Sequence, residues 1–199
     1  MTGLISEKEA LRAHLAELRE ELSARNPDAG EDLANRFPMK LFERYGPTVS
    51  AYMPIRFEID PQPLMAKLQA EGAELCLPRL ENSDIVFRRW APGEPLEKGP
   101  YGLLEPSEKA EIVRPTLVLL PLLGFDKIGN RLGYGAGYFD RALASLRKEG
   151  RTFACALAFN GQNVDEVPSD PHDEPLDWVV TEAGSYPIFM TRNLMANQT

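Results

Sequence analysis

The most constraining feature of this 199-residue chain is a stretch that joins an apolar run to an amphipathic run through glycines. The apolar run, 117–120 (LVLL), has the length and composition of a buried strand. The later run places Phe139, Leu143 and Leu146 at spacings of four and three, which predicts one apolar face of a helix. Between the two runs, four glycines fall within residues 129–137. The stretch therefore predicts a strand, a glycine loop and a helix N-terminus in succession.

Such a loop is typical of a phosphate-binding site. Without Cβ atoms in the way, backbone N–H groups converge on an anion, and the helix dipole favours negative charge there. Lys127 and Arg131 precede the last glycines, and Asp140 follows in the first predicted helical turn, where a carboxylate is placed to hold a cation. The alternative is a tight strand-to-helix connection in which glycine only supplies positive φ. Four glycines flanked by Arg131 and Asp140 favour the ligand site.

The loop matches neither of the common nucleotide motifs. A P-loop requires GxxxxGK followed by Ser or Thr, and no lysine follows any of these glycines. The dinucleotide pattern GxGxxG fails as well, because Gly133, Gly135 and Gly137 are spaced GxGxG. The ligand class is therefore left open by these motifs.

The sequence of residues 124–141, GFDKIGNRLGYGAGYFDR, resembles the signature of the 5-formyltetrahydrofolate cyclo-ligase family, also called methenyltetrahydrofolate synthetases. The pattern in this chain departs from the family's at two positions. Ala136 stands where Gly or Lys is usual and adds a Cβ to the loop. Phe139 stands where Tyr is usual and removes a hydroxyl. Neither change removes charge from a residue implied in metal binding.

The resemblance implies an ATP- and Mg²⁺-dependent ligase with a reduced folate and ATP as small-molecule substrates. The reaction it implies converts 5-formyltetrahydrofolate to 5,10-methenyltetrahydrofolate and releases ADP and phosphate. Two alternatives stay open at this point. One is an ATP-dependent kinase or ligase acting on another small acid, and the other is a non-catalytic folate- or nucleotide-binding regulator on the same fold.

The N-terminal region, 6–24, reads as a helix. Ser6 and Glu9 have the spacing of a capping box. Lys8 and Arg12 fall beside the apolar stripe, at roughly 60° and 100° from its first leucine. The stripe consists of Leu11, Leu15, Leu18 and Leu22. The charges alone indicate a solvated face, but the family carries Lys-x-x-Leu-Arg here, which implies that Lys8 and Arg12 bind ATP.

The resemblance also assigns roles to individual residues. It implies Arg131 and Tyr138 as catalytic residues and Asp140 and Asp173 as Mg²⁺ ligands. The residues implied in ATP binding are Lys8, Arg12, Arg131, Leu132, Gly133, Tyr134, Gly135, Ala136, Gly137, Tyr138 and Phe139. The residues implied in substrate binding are Met53, Glu58, Tyr134, Gly135, Ala136, Gly137 and Tyr138.

Strands and helices alternate along most of the chain. Strands are predicted at 48–53, 73–77, 85–90, 117–120, 151–159 and 178–181, and further helix patterns carry Leu33, Phe37 and Leu41 (broken at Pro38) and Leu64, Met65 and Leu68 (stopped at Gly72). This alternation predicts an α/β fold, a three-layer α/β/α sandwich with a mostly parallel central sheet and ligands at the carboxyl ends of its strands. The length fits a single domain over 1–199.

Three loop features have both a functional and a structural interpretation. The connection 91–106, rich in Pro and Gly, is either a lid or a linker. Trp90 and Tyr101 are candidates to stack on a flat ring, although core packing is as good an explanation. His172 and Asp173 form a metal or acid–base pair or belong to a turn. Glu58 is a separate case: the sequence alone indicates an exposed carboxylate with no function, and the resemblance implies that it contacts the folate.

Composition restricts the partners and the compartment. A net charge of −8 disfavours non-specific nucleic-acid binding, but a basic pocket for an anionic small molecule is compatible with it. Cys76 and Cys155 lie in apolar runs and are expected to be buried free thiols in a reducing compartment. With no signal peptide or membrane-length apolar run, we expect a cytoplasmic protein without membrane, nucleic-acid or obligate protein partners.

Overall fold

The computed structural model describes residues 2–188, with side chains from residue 6 onward. The α-helices in this part are α1 (Thr2–Arg25), α2 (Ala29–Arg36), α3 (Met39–Tyr45), α4 (Gln62–Ala70) and α5 (Tyr138–Glu149). The strands are β1 (Thr48–Ser50), β2 (Glu74–Glu81), β3 (Asp84–Arg89), β4 (Glu97–Lys98), β5 (Leu104–Glu105), β6 (Leu117–Leu120), β7 (Gly124–Phe125), β8 (Arg131–Leu132), β9 (Phe153–Leu157), β10 (Trp178–Val180) and β11 (Ser185–Tyr186).

The central sheet has seven strands in the order β11-β10-β9-β6-β1-β2-β3. Its five inner strands run parallel to one another, and only the edge strands β11 and β3 are antiparallel to their neighbours. Strands β6 and β9 are buried along their whole length, as expected where helices cover both faces of a parallel sheet. The predicted mostly parallel sheet is confirmed.

Alternate residues of β6 feed two separate hydrophobic cores. Leu117 and Leu119 belong to the core beneath α2, α3 and α4, whereas Val118 and Leu120 belong to the core beneath α5. This alternation follows from the two-residue period of a strand, which turns successive side chains to opposite faces. Helices therefore cover both faces of the sheet, and the predicted three-layer α/β/α sandwich is confirmed. The assignment of 1–199 to one domain stays a prediction.

Helix α1 packs across the segment that leaves the carboxyl end of β6. Leu15 is fully buried and clusters with Leu123, Leu132 and Val167. The approach is close enough that a Cβ on Gly124 would lie 2.5 Å from a methyl carbon of Leu15. The predicted leucine stripe is thus used to bring α1, with its charged residues, to the edge of the sheet where parallel strands end.

Several local predictions are confirmed. Pro38 separates α2 from α3, Gly72 follows α4 with a φ of 91°, and Cys76 and Cys155 are buried free thiols. Burial raises the pKa of the Cys76 thiol to about 12. In residues 2–188, we find no helix with both the length and the apolarity that a bilayer span requires.

Other local predictions are wrong. Helix α1 begins at Thr2, so Ser6 and Glu9 lie inside it and form no capping box. The strand predicted over 48–53 stops at Ser50, although the backbone N–H of Ala51 still donates to the carbonyl oxygen of Cys76 on β2. For Trp90, by contrast, the core-packing alternative is confirmed, because the residue is buried in the first core and donates its indole N–H to the carbonyl of Glu94.

Candidate functional site

The predicted strand, glycine loop and helix occur in that order, but two short strands that the sequence does not predict, β7 and β8, lie between β6 and the loop. The glycine loop itself, residues 133–137, connects β8 to α5. Gly135 (φ 100°) and Gly137 (φ 66°) adopt left-handed backbone conformations that favour glycine. A Cβ on Gly135 would lie 3.1 Å from the guanidinium carbon of Arg12, whose Nε donates to the carbonyl oxygen of Gly133 at 3.0 Å. Arg12 on α1 therefore closes one side of the loop.

Arg131 stands at the base of this loop in a buried position. Its Nη2 donates to Asp140 Oδ1 at 2.6 Å, and its Nη1 donates to the carbonyl oxygen of Glu174. The backbone N–H of Glu174 donates to the same Asp140 oxygen at 3.0 Å. Burial lowers the pKa of Arg131, whereas the charges of Asp140 and Asp173 oppose that effect, so both carboxylates lie near the guanidinium.

Lys8 reaches from α1 to the loop that precedes β10. Its Nζ contacts Asp170 Oδ2 at 2.9 Å and Asp173 Oδ2 at 2.7 Å, and the N–H of Asp170 donates to that Asp173 oxygen. Burial alone would lower the pKa of Lys8, but its hydrogen bonds to Asp173 and Asp170 outweigh burial and raise it. We call the five residues Lys8, Arg131, Asp140, Asp170 and Asp173 the ion-pair cluster.

Asp170 is a member of the ion-pair cluster that the sequence analysis missed. Its pKa is lowered, chiefly by the hydrogen bond from Lys8. The sequence does contain an indication of this role: Asp170 and Asp173 are three residues apart, a spacing typical of a turn in which both side chains point to the same side. His172 is exposed and its backbone N–H donates to Asp170 Oδ1 at 2.9 Å, so the turn interpretation holds for His172. The role of Asp173 in metal binding stays a prediction.

The carboxylates of the ion-pair cluster fit the chemistry of a Mg²⁺ site completed by phosphates. Among residues 2–188 there is no group of three or more acidic, His or Cys side chains arranged to enclose a metal ion. Mg²⁺ at nucleotide sites, however, usually takes one or two carboxylates and fills its remaining positions with phosphate oxygens and water. Asp140 and Asp173, both close to Arg131, meet that requirement.

A second polar group lies on the other side of the glycine loop. Glu58 is only 8% exposed, so the expectation of an exposed carboxylate was wrong. Its Oε1 accepts from the Tyr134 hydroxyl at 3.0 Å, and its Oε2 accepts from the backbone N–H of Ile55 at 2.9 Å. The guanidinium of Arg19 lies 3.8 Å from Glu58 Oε1. We call Arg19, Glu58 and Tyr134 the Glu58 cluster.

Arg19 was not identified from the sequence, although a signal existed. It lies four residues after Leu15 and eight after Leu11, which puts a charged side chain on the buried stripe of α1. Such a residue is 1% exposed here and must find polar partners inside the protein. The helical period therefore places Arg19 among buried apolar residues, and a charged residue at such a position predicts a buried polar partner.

An open cleft of about 490 Å³ adjoins the Glu58 cluster. It is lined by Arg12, Ala13, Ala16, Glu17, Arg19, Glu20, Arg56, Phe57, Leu123 and Tyr134. Arg12 and Tyr134 also belong to the surroundings of the glycine loop, so cleft and loop are continuous. This leaves room for a large ligand between α1 and the chain that follows β1.

The structure distributes the remaining predicted site residues unevenly. Tyr138 opens α5 and hydrogen-bonds Tyr101, which is 73% exposed on the turn between β4 and β5. Met53 packs against the first core and Phe139 against the second, and both side chains are partly buried. Leu132 is buried beneath α1, and Ala136 is exposed on the loop.

Comparisons with known proteins agree with this arrangement. Residues 4–182 match the 5-formyltetrahydrofolate cyclo-ligase family. The chain is 27% identical to the 5-formyltetrahydrofolate cyclo-ligase of Haemophilus influenzae over 85% of this chain and 94% of that protein. It is 32% identical to the protein of the same name from Mycolicibacterium smegmatis, over 68% of this chain and 74% of that protein.

A solved structure shares the fold. The 5,10-methenyltetrahydrofolate synthetase of Aquifex aeolicus superposes with a TM-score of 0.71 at 29% identity, covering 91% of this chain and 92% of that chain. The match of the family over most of the sequence and the similarity of this structure point to the same conclusion. The chain belongs to the 5-formyltetrahydrofolate cyclo-ligase family and is an enzyme of the ligase class.

Proposed function

We propose that this protein uses ATP and Mg²⁺ to cyclise 5-formyltetrahydrofolate to 5,10-methenyltetrahydrofolate, with release of ADP and phosphate. The observation that carries the proposal is the ion-pair cluster beside the glycine loop. Two cations are paired with carboxylates at the edge of the sheet where ligands of α/β proteins bind: Lys8 with the distant Asp170 and Asp173, and Arg131 with Asp140 across the glycine loop.

These pairs are suited to exchange partners with a nucleotide. Phosphate oxygens would take over the donors of Lys8, Arg131 and Arg12, and the released carboxylates of Asp140 and Asp173 would hold Mg²⁺. Each charged side chain has an oppositely charged partner both before and after this exchange, which limits its cost in a partly buried site. When bound, Mg²⁺ supplies charge neutralisation and a bridge between phosphate oxygens.

In this reaction, the protein contributes mainly by positioning the two substrates and by stabilising negative charge. The formyl oxygen of the substrate attacks the γ-phosphorus of ATP, the bond to the β-phosphate breaks, and ADP leaves. N10 then attacks the formyl carbon, and the C–O bond breaks. Phosphate departs with the formyl oxygen and N10 loses its proton, which leaves the methenyl bridge between N5 and N10.

Individual residues of this chain have distinct parts in that sequence. Arg131 and Lys8 would neutralise charge on the transferred phosphoryl group. The backbone N–H groups of residues 132–139 would hold phosphate oxygens, and Tyr138 at the start of α5 would contact the reacting groups. Glu58, with Met53 and residues 134–138, would bind the folate.

The test is the coupling of the two products. Wild-type protein is incubated with ATP, Mg²⁺ and 5-formyltetrahydrofolate, and ADP and the methenyl product are measured together. We expect one ADP per methenyl product, and no ADP without the folate or with the metal chelated. ADP release at an equal rate without the folate contradicts the ligase reaction, and ligand-dependent melting without ADP release indicates a binding protein.

A further inference from the structure

We infer that Arg19 is a positioning residue for the reaction, which fixes Glu58 and Tyr134 and so joins the folate-binding segment 52–58 to the glycine loop. The inference rests on the proposed function, because it takes Glu58 as a folate contact. Arg19 also lines the open cleft, but its hydrogen bonds go to the chain before Glu58 and to Tyr134, and it acts through these two side chains.

The contacts of Arg19 are divided among three segments that are far apart in sequence. Its Nη1 donates to the carbonyl oxygen of Leu122 at 3.2 Å, just beyond β6. Its Nη2 donates to the carbonyl oxygen of Arg56 at 2.6 Å and to the Tyr134 hydroxyl at 2.5 Å. A guanidinium presents its N–H donors from separate nitrogens in one rigid plane, which lets Nη1 and Nη2 serve these three acceptors at once.

Arg19 determines the direction of the hydrogen bond between Tyr134 and Glu58. The Tyr134 oxygen accepts from Arg19, which leaves its single proton for Glu58 Oε1 at 3.0 Å. The chain Arg19–Tyr134–Glu58 is therefore polarised in one sense, and the remaining lone pairs of Glu58 are available to N–H donors of a ligand. A folate contact made by an acceptor-only carboxylate depends on that orientation.

Arg19 also holds a strained turn in place. Arg56 (φ 47°) and Phe57 (φ 65°) adopt positive φ, which is unfavourable for residues with a large side chain. The bond from Arg19 to the Arg56 carbonyl fixes this turn directly before Glu58. Phe57 and Arg56 line the open cleft, so the same bond shapes the wall of the cleft.

Stability alone does not account for a charge at this position. A fully buried guanidinium loses its hydration, and replacing buried ion pairs by apolar residues is often neutral or stabilising. The Nε of Arg19 has no hydrogen-bond partner, which adds to that cost. A leucine would continue the apolar stripe of α1 at this position, so the charge serves the polar groups around it.

The charge of Arg19 favours the ionised form of Glu58. Burial raises the pKa of Glu58, whereas the Ile55 N–H, Arg19, Tyr134 and Arg56 lower it. Tyr52, which packs beside Glu58 and has its own pKa raised by burial, is the remaining titratable neighbour. Of the two cations, Arg56 lies in the same segment as Glu58, whereas Arg19 lies on α1. Removal of Arg19 should therefore raise the pKa of Glu58.

The test compares Arg19→Met and Arg19→Lys with Arg25→Met, which removes an arginine from the same helix that is 71% exposed. Steady-state parameters for both substrates, the pH profile of kcat/KM for the folate and the melting temperature are measured for each. For Arg19→Met we expect a rise of about tenfold or more in the KM for the folate. We expect the KM for ATP within about twofold of wild type, and an acidic limb shifted to higher pH.

The conservative variant separates charge from geometry. Arg19→Lys should return the acidic limb towards wild type but leave the folate KM raised, because the donors of an ammonium all leave one nitrogen and do not match acceptors placed around two guanidinium nitrogens. Glu58→Gln should abolish the acidic limb in both the wild-type and the Arg19→Met background. Arg25→Met should match wild type in both KM values and in the pH profile, and its melting temperature should fall by no more than about 1–2 °C.

The inference is overturned if Arg19→Met melts at lower temperature but keeps the wild-type folate KM and pH profile, because Arg19 is then only structural. If Arg19→Met does not fold, Arg19→Lys and Tyr134→Phe decide, and wild-type folate KM values in both overturn it. Failure of the proposed function is distinguishable, since wild type then forms no methenyl product. In that event, the dissociation constant of 5-formyltetrahydrofolate replaces KM as the readout.

Discussion

The ion-pair cluster and the Glu58 cluster flank the same glycine loop but solve the problem of buried charge differently. In the ion-pair cluster, each cation is paired with a carboxylate. In the proposed exchange, phosphate becomes the partner of the cation and Mg²⁺ becomes the partner of the carboxylate. In the Glu58 cluster, Arg19 contacts backbone carbonyls and a tyrosine hydroxyl, and the proposed exchange leaves these contacts unchanged. The first is therefore suited to exchange partners during a reaction, and the second is suited to keep one geometry throughout.

The electrostatics of the two clusters differ in sign. In the ion-pair cluster, close contact with Lys8 lowers the pKa of Asp170. In the Glu58 cluster, burial dominates and raises the pKa of Glu58 despite its cationic neighbours. The comparison teaches that a short ion pair near solvent stabilises a charge, whereas a longer pair in the interior only limits the cost of burying it.

The largest effect should come from Asp140→Asn in the ion-pair cluster. The amide keeps an oxygen for the Glu174 N–H but loses the charge that faces Arg131 and Mg²⁺. We expect turnover to fall about 100-fold, the scale of losing an electrostatic group at a transition state. The Mg²⁺ concentration for half-maximal rate should rise, and stability should drop by about 1–3 kcal/mol.

A matched control for that variant is Asp84→Asn, which breaks an exposed pair with Arg141. Exposed pairs contribute about 0–1 kcal/mol, so this variant should keep wild-type turnover and Mg²⁺ dependence. Near-normal turnover of Asp140→Asn at low Mg²⁺ would remove Asp140 from the metal site and leave it as a partner of Arg131 only.

Lys8→Met should have the next largest effect. A charge-assisted hydrogen bond to phosphate is worth about 1.5–3 kcal/mol, so ATP should bind about 10- to 100-fold more weakly. Calorimetric titration with Mg²⁺–ATP measures this loss, and Lys148→Met, on the exposed side of α5, is the control. A collapse in melting temperature with unchanged ATP affinity would make Lys8 a structural tie to Asp170 and Asp173.

The pH dependence of stability should differ in sign between the clusters. The folded-state pKa of Asp170 lies below its ordinary 3.8, so its stabilising contribution is present above that value and lost as pH falls through the lowered pKa. The folded-state pKa of Glu58 lies above its ordinary 4.5, so its contribution is fully present below 4.5 and lost as pH rises through the raised pKa.

Melting curves of two variants read out this difference. Relative to wild type, Asp170→Asn should become progressively less stable as the pH is raised towards 4, and Glu58→Gln should become relatively more stable as the pH is raised above 4.5. The same direction of change in both variants would contradict the contrast between the clusters.

The smallest effect should follow from Arg25→Met, which removes an exposed pair with Glu21 within α1. Such pairs contribute about 0.3–0.5 kcal/mol to a helix. The melting temperature should therefore fall by about 1–2 °C in a chain of this size. A larger fall would mean that the exposed face of α1 matters for stability as much as its buried stripe.

Much of the fold could be predicted from local patterns. The apolar run ending at Leu120, the leucine stripe of α1 and the apolar face of α5 each carry the period of their structure, and the sheet confirms them. The start of α1 could not be predicted from Ser6. A capping residue stabilises only the first turn of a helix, and here the helix already begins at Thr2.

The partners within the site were less predictable. Lys8 and Arg131 are predicted as cations near a phosphate loop, but the pairing of Lys8 with Asp170 depends on how α1 and the loop before β10 come together. The pairing of Arg131 with Asp140 depends on how the glycine loop folds α5 back onto β8. Glu58 looked exposed because its burial is produced by Arg19 and Tyr134, which are 39 and 76 residues away in sequence. The period and spacing of residues predict the helix or strand to which a side chain belongs. Which charged side chains pair with one another follows only from the tertiary structure.

The most direct test of the account is a pair of binding experiments with two variants and two ligands. Lys8→Met and Glu58→Gln are each titrated with Mg²⁺–ATP and, separately, with 5-formyltetrahydrofolate. We predict that Lys8→Met loses affinity for ATP but keeps it for the folate, and that Glu58→Gln shows the reverse. Equal weakening of both ligands in both variants, or the opposite assignment, would contradict the division of the site into the two clusters.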